Sequence, residues 1–286
     1  MRVAAGFAAA LLLTQPAFRV ETRVVVLYAT VHNSRGELVT NLDRSAFTVY
    51  EDGKPQRITV FGRDDLPVSL GLLIDNSGSM RAMRSNVEAA ALSFARASNT
   101  QDEMFVLNFA DTPRIDVPFT SDVRTLEAGV ARVDSIGGTA LWDAVDMAES
   151  YLNHGTRQRK VLLVVTDGRD NASLASLDKV IRQAQKDETV IYVVGLMGDT
   201  PSAKKAREDL DRLTERCGGV AYYPGDISQV EPTVLDVARQ IRSQYTIAYS
   251  PANQKLDGSY RKIRLVAGGR ERLVVRTRPG YWATPP

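Results

Sequence analysis

The sequence predicts an α/β protein: a doubly wound, mostly parallel sheet between helices, inserted in or flanked by a small β-sandwich module. Three observations carry this expectation. Between residues 67 and 243, short apolar runs alternate with helical patterns, the signature of crossover units on a parallel sheet. The segments on either side, 20–62 and 245–283, read instead as strands and turns. A helix that follows a strand in such a sheet returns the chain to the pole where the strand began, so residues 67 and 243 emerge together and the two flanking β segments pack with each other.

Each element follows from its local pattern. In the first β segment, Arg23–Val31 is rich in Val, Leu and Tyr and ends at the turn Asn33-Ser34-Arg35-Gly36. Phe47–Tyr50 alternates before the turn signal Glu51-Asp52-Gly53-Lys54-Pro55, and Ile58–Phe61 then closes a hairpin-like unit. Central strands are expected at Val68–Ile74, Phe105–Phe109, Ile115–Val117, Val161–Val165, Val190–Val194 and, more weakly, Val220–Tyr223. The central runs lack polar alternation, as strands covered by helices on both faces do. Helical patterns span Arg84–Ser98, Asp122–Ser135, Ala140–Leu152, Leu177–Lys186, Ala203–Arg216 and Pro232–Ser243. The last places Pro232 at its first position and Leu235, Ala238 and Ile241 on one stripe. Strands return at Tyr245–Tyr249, Ile263–Val266 and Leu273–Val275.

Bulk properties exclude more than they assign. With 36 basic and 34 acidic residues, the net charge of +2 provides no global pull toward nucleic acid or a membrane. One cysteine, Cys217, permits no intramolecular disulfide and reads as a buried apolar thiol. Met1-Arg2, the apolar run Val3–Leu13 and the small residue Ala17 describe a secretory signal peptide over 1–19, and hence an exported, periplasmic or secreted protein. Gln15 weakens the cleavage site, and the alternative is an apolar first strand in a cytoplasmic protein. No segment reaches the roughly 20 apolar residues that a membrane span needs.

The chemistry gathers in three loops. Asp75-Asn76-Ser77-Gly78-Ser79 closes the strand Val68–Ile74 and places a carboxylate and two hydroxyls on alternate residues, which point the same way in an extended segment. Gly137-Gly138-Thr139 precedes a helix and adds a third hydroxyl, while Thr166-Asp167-Gly168 follows the strongest strand and adds a second carboxylate. Ligands of open α/β sheets gather where strands end. Hard oxygen donors of this kind suit a divalent cation such as Mg²⁺, or Mn²⁺ or Ca²⁺.

Taken together, these loops resemble the metal-ion-dependent adhesion site of the von Willebrand factor type A domain. All five positions of that site match: Asp75, Ser77, Ser79, Thr139 and Asp167. The resemblance covers about residues 67–243. The flanks, Phe47 to Gln56 and Arg242 to Pro251, resemble a bacterial subgroup with "F-x-V-x-E-D-G-K-P-Q" before the domain and "R-S-Q-Y…Y-x-P" after it. The resemblance implies that Ser77, Ser79 and Thr139 donate hydroxyl oxygens to the metal, and that Asp75 and Asp167 ligate it directly or through water. It further implies a non-enzymatic, adhesion-like module whose metal accepts an acidic side chain of a partner protein. In relatives, occupancy of the site is linked to movement of the last helix, here Pro232–Ser243.

Alternatives remain at this stage. A lone D-x-S-x-S is also a helix-capping turn, Asp143 suits a helix dipole, and Asp170 and Asn171 suit a turn or cap. The metal could organise the loops of an envelope scaffold, or assist hydrolysis. Hydrolysis has little support: there is no G-x-S-x-G elbow, and neither histidine, His32 or His154, falls near Ser77 in sequence. No phosphate-binding G-x-x-x-x-G-K-[ST] exists. The seven basic residues between Arg261 and Arg278, against Glu271 alone, read as the solvated face of an exposed hairpin or as a surface for an acidic partner.

Overall fold

The computed structural model describes residues 23–130, 136–168, 170–198, 200–269 and 272–285. The leader read over 1–19, the end of the helix expected to reach Ser135, and Arg270 and Glu271 of the basic run lie outside the described residues.

Four strands open the chain: β1 (Val25–His32), β2 (Phe47–Glu51), β3 (Lys54–Gln56) and β4 (Ile58–Gly62). The α/β unit follows as β5 (Val68–Asp75), α1 (Arg84–Ala97), β6 (Glu103–Phe109), β7 (Pro113–Thr120), α2 (Val123–Val130), α3 (Leu141–Leu152) and β8 (Arg159–Thr166). It continues through α4 (Leu177–Asp187), β9 (Val190–Gly195), α5 (Pro201–Cys217), β10 (Ala221–Tyr222) and α6 (Val230–Arg242). The chain closes with β11 (Tyr245–Tyr249), β12 (Tyr260–Ala267), β13 (Val274–Arg276) and β14 (Gly280–Trp282).

The central sheet runs β10-β9-β8-β5-β6-β7, parallel except for the edge strand β7. Every residue of β5 is buried, because helices cover both faces. Alternate residues sort to opposite sides: Leu70, Leu72 and Ile74 meet α1, α2 and α6, whereas Leu73 meets α3, α4 and α5. Gly71 admits a neighbour, since a Cβ there would lie 2.4 Å from the Phe105 ring. Helix α5 shows its start and stop in sequence: Thr200 accepts the Ala203 N–H, Pro201 sits in the first turn, and Gly218 adopts φ +81° beyond the end.

The flanking strands form two antiparallel sheets, β13-β1-β11-β4 and β14-β12-β2-β3, each drawing strands from both ends of the chain. Their inner faces share one core of Leu27, Val49, Ile247, Leu265 and their neighbours. Glu51 is buried in it, and its Oε2 accepts hydrogen bonds from the Tyr249 and Tyr281 hydroxyls at 2.7 and 3.0 Å.

Four details differ from the sequence reading. The hairpin partner of β2 is β3, across Asp52 and Gly53, both at positive φ; β4 pairs with β11 in the other sheet. Pro55 therefore sits on a sheet edge, where its missing N–H costs no ladder bond. Helix α6 begins at Val230, led in by a single turn of 3₁₀ helix, so Pro232 is its third residue and still within the first turn, where N–H groups lack intrahelical partners. Its buried stripe is Val230, Val234, Val237, Ala238 and Ile241, with Leu235 half-buried. The basic run is no single hairpin, for β12 and β13 lie in different sheets.

Strand β5 enters and α6 leaves at the same pole, against the sandwich. Arg159, 4% exposed, joins the parts there. Its guanidinium donates to the Leu66 and Ile241 carbonyls at 2.9 and 2.8 Å and to Gln244 Oε1, and it stacks over the Tyr28 ring. Arg278 of the sandwich pairs with Glu188 at the end of α4 at 2.7 Å. The opposite pole, where β5, β6 and β8 end, is free of the sandwich.

Candidate functional site

Asp75 is the last residue of β5, and Ser77 begins a stretch of 3₁₀ helix, Gly78–Met83, before α1. Ser77 is extended and caps nothing with its side chain, and the position before α1 is Met83. The capping reading of these serines therefore fails. The Ser77 hydroxyl lies 3.1 Å from the Ser79 hydroxyl, so two donors face one point.

Asp75 is 2% exposed. Its Oδ1 accepts the Ser77 backbone N–H at 2.8 Å and its Oδ2 the Thr166 hydroxyl at 2.6 Å. Burial pushes this carboxyl up to about 6; the hydrogen bonds from Thr166 and Ser77 oppose the rise, and the nearby Asp167 adds to it. A fold that buries one carboxylate beside another holds negative charge that a cation would neutralise. Asp167 Oδ1 is buried and has no hydrogen-bond partner among the described residues, which an anionic oxygen rarely tolerates.

The second loop is tied to the first by the Gly78 N–H, which donates to the Gly137 carbonyl at 3.2 Å. Thr139, 2% exposed, is held by its backbone: its N–H donates to Asn171 Oδ1 at 2.8 Å, and its carbonyl accepts from the Asn171 and Ala172 N–H groups. The glycines before it are required sterically. A Cβ on Gly137 would lie 2.1 Å from the Asp111 carboxylate, and one on Gly138 would lie 2.6 Å from Asn171 Oδ1. Gly137 also adopts φ +89°.

The structure thus brings the loops of all five expected residues to one pole, and adds four supporting residues that the sequence reading left outside the site. Asp111, after β6, accepts the Gly138 N–H at 2.6 Å. Asn171 orders Thr139, and Asp170 caps α3 from outside by accepting the Leu141 N–H at 2.9 Å. Thr166 holds Asp75. Asp170 does form a cap, on α3, while Asn171 holds the Thr139 loop, and Asp143 accepts the Leu174 and Ala175 N–H groups rather than only facing a dipole. A run such as Thr166-Asp167-Gly168-Arg169-Asp170-Asn171 is rich in such acceptors, yet nothing in it names the distant N–H groups they reach.

Other reactive groups lie elsewhere. His32 ends β1 in the sandwich, and His154 follows α3, whose 12 residues place it about 18 Å from the helix start. Cys217 is buried at the end of α5, and burial pushes its thiol up. No group of three His, Cys, Asp or Glu side chains that suits a metal exists among the described residues. The five-residue set carries only two carboxylates, so its chemistry rests on hydroxyls.

Residues 70–169 match the profile of the von Willebrand factor type A domain. The chain carries a von Willebrand factor type A domain. Solved structures agree in fold. A von Willebrand factor type A protein from Catenulispora acidiphila superposes with a TM-score of 0.56 at 12% identity, over 92% of this chain and 75% of that one. Proximal thread matrix protein 1 from the mussel byssus gives 0.55 at 16% identity, over 67% and 51%. The vWF domain of the type V pili tip protein Mfa5 from Porphyromonas gingivalis gives 0.53 at 11%, over 62% and 95%. At these identities the likeness is one of fold. No curated protein sequence matches the chain. No helix among the described residues is long and apolar enough to cross a membrane.

Proposed function

We propose that the von Willebrand factor type A domain binds a divalent cation, Mg²⁺ or a similar ion, through Ser77, Ser79, Thr139, Asp75 and Asp167, and uses it to dock a partner protein without catalysis. The observation that supports this most is Asp167 Oδ1, buried and without a hydrogen-bond partner among the described residues, beside the buried Asp75 carboxylate. When bound, the cation supplies an electrophilic point that accepts a carboxylate from outside. The chain's own groups do the rest: Thr166 and the Ser77 N–H aim Asp75, and Asn171 and Asp111 hold the loop that carries Thr139. Neither histidine is at this pole to serve as a base, which favours binding over hydrolysis.

A scaffold in which the metal only organises the loops is less well supported. Direct bonds already tie these loops, from Gly78 to Gly137, Thr139 to Asn171 and Leu141 to Asp170. The leader read over 1–19 supports export from the cytoplasm, and the N-terminal sequence of the mature protein tests that point. Isothermal titration with Mg²⁺ and Mn²⁺ tests the site. Wild type is expected to bind and Asp75→Ala to lose binding; silence in wild type, or equal binding by the variant, overturns the proposal. Pull-downs in Mg²⁺ against chelator then test the docking step, which predicts a partner lost on chelation.

A further inference from the structure

A second place in the molecule is built to hold charge, far from the metal loops. Where the end of α5 meets the outer face of the β14-β12-β2-β3 sheet there is a cleft of about 310 Å³. Arg216 approaches it from the type A domain, and Lys262 and Arg264 from β12 of the sandwich. Tyr50 and Tyr260 line it as well, with Ile263 and Pro279 supplying apolar surface. Among the described residues none that lines it is acidic. Among the described residues Arg216, Lys262 and Arg264 make no ion pair, although Arg261 of β12 is buried and paired and Arg278, between β13 and β14, is half-buried and paired.

The cleft is fixed by its surroundings. Gly218, just past α5, lies so close to the connection between β13 and β14 that a Cβ would be 2.6 Å from the Arg278 nitrogen. Gln185 Nε2 donates to the Arg216 carbonyl at 3.2 Å, and Trp282 Nε1 donates to Gln185 Oε1 at 3.2 Å. The helix end and the sheet are therefore held together before any ligand arrives. The Arg264 guanidinium stacks over the Tyr50 ring at 4.2 Å. Stacking fixes the plane of the fork and leaves its in-plane N–H groups for another acceptor. Three cations that make no ion pair among the described residues, with two phenols around one small volume, match a ligand with several anionic oxygens. Clefts between domains are common sites for small ligands.

We propose that this cleft binds a phosphate group, carried by a small phosphate ester or a lipid headgroup, bridging Arg216 of the type A domain to Lys262 and Arg264 of the sandwich. The proposal is independent of the metal site. The test is calorimetric titration of the full chain with inorganic pyrophosphate at low salt, for wild type, Arg216→Gln, Arg264→Gln and the outlying control Lys255→Gln. The substituted side chains are exposed, and melting curves verify folding. The expected result is saturable binding that weakens about tenfold in each cleft variant, the loss of one charge-assisted contact, and is unchanged in the control. Sedimentation with phosphatidylglycerol vesicles and titration with glucose 1-phosphate separate the two sources; binding of either that the cleft variants lose sustains the site. No saturable binding of pyrophosphate, equal loss in the control, or binding of an oligoglutamate peptide in place of pyrophosphate overturns it.

Discussion

Asp75→Asn in the absence of metal separates a functional carboxylate from a structural one. Burial pushes the Asp75 carboxyl from an ordinary 3.8 to about 6. A raised acid means that the folded state holds its proton more tightly than the unfolded state, so ionisation disfavours the fold. The penalty is fully present above about pH 6 and is relieved as pH falls from there toward 3.8. A difference of about 2 units corresponds to about 3 kcal/mol. The amide keeps the shape and accepts one of the two hydrogen bonds, from the Ser77 N–H or the Thr166 hydroxyl, and losing the other returns about 1 kcal/mol. The net gain is about 2 kcal/mol near neutral pH, or an increase in Tm of about 4–8 °C for a chain of this size. Melting curves with excess chelator at about pH 7.5 and about pH 4 measure it. The variant should melt higher at the first pH and slightly lower than wild type at the second, where the penalty is relieved and the lost hydrogen bond remains. A less stable variant at neutral pH would refute the reasoning, since Asp75 would then be a structural residue.

Three further outcomes follow from the packing. Glu149 is wholly buried, accepts the Thr189 hydroxyl at 2.7 Å, and is pushed up by burial to about 8. The fold therefore weakens as pH rises from about 4.5 toward 8, and Glu149→Gln should be more stable than wild type by about 3 kcal/mol near pH 7 and equal to it below 4.5; urea titrations giving parallel pH curves for the two proteins would contradict this. Gly138→Ala places a methyl 2.6 Å from Asn171 Oδ1 and 2.9 Å from Asp111 Oδ1, so Mn²⁺ affinity should fall at least about tenfold while the fold persists, read by calorimetry and circular dichroism. Arg159→Met leaves the Leu66 and Ile241 carbonyls and Gln244 without their donor, and should cost about 3 kcal/mol and split melting into separate sandwich and type A transitions in a calorimetric scan.

What the sequence made legible was local. The central strands announce themselves as unbroken apolar runs, since helices bury both their faces, and the five oxygen donors sit in short loops whose glycines and strand ends mark their place. What it hid was long-range. Nothing near Arg57 indicates that the chain crosses to the second sheet, where Val60 pairs with Ala248. The short strand Gly280–Trp282 has no apolar run of its own and exists because it pairs with Tyr260–Lys262. Asp111 and Asn171 act on backbone N–H groups 27 and 32 residues away. The basic run misled for the same reason: alternate positions of β12 face core and solvent, so Arg261 is buried while Lys262 and Arg264 are exposed.

Whether three loops of this domain form one cation site, as proposed above, is open to direct observation. A crystal soaked in Mn²⁺ and examined by anomalous diffraction tests it most directly. A single strong peak is expected, bound by the hydroxyls of Ser77, Ser79 and Thr139, with Asp75 and Asp167 reaching it directly or through water. No peak at that pole at saturating Mn²⁺, or a peak held by other residues, would contradict it.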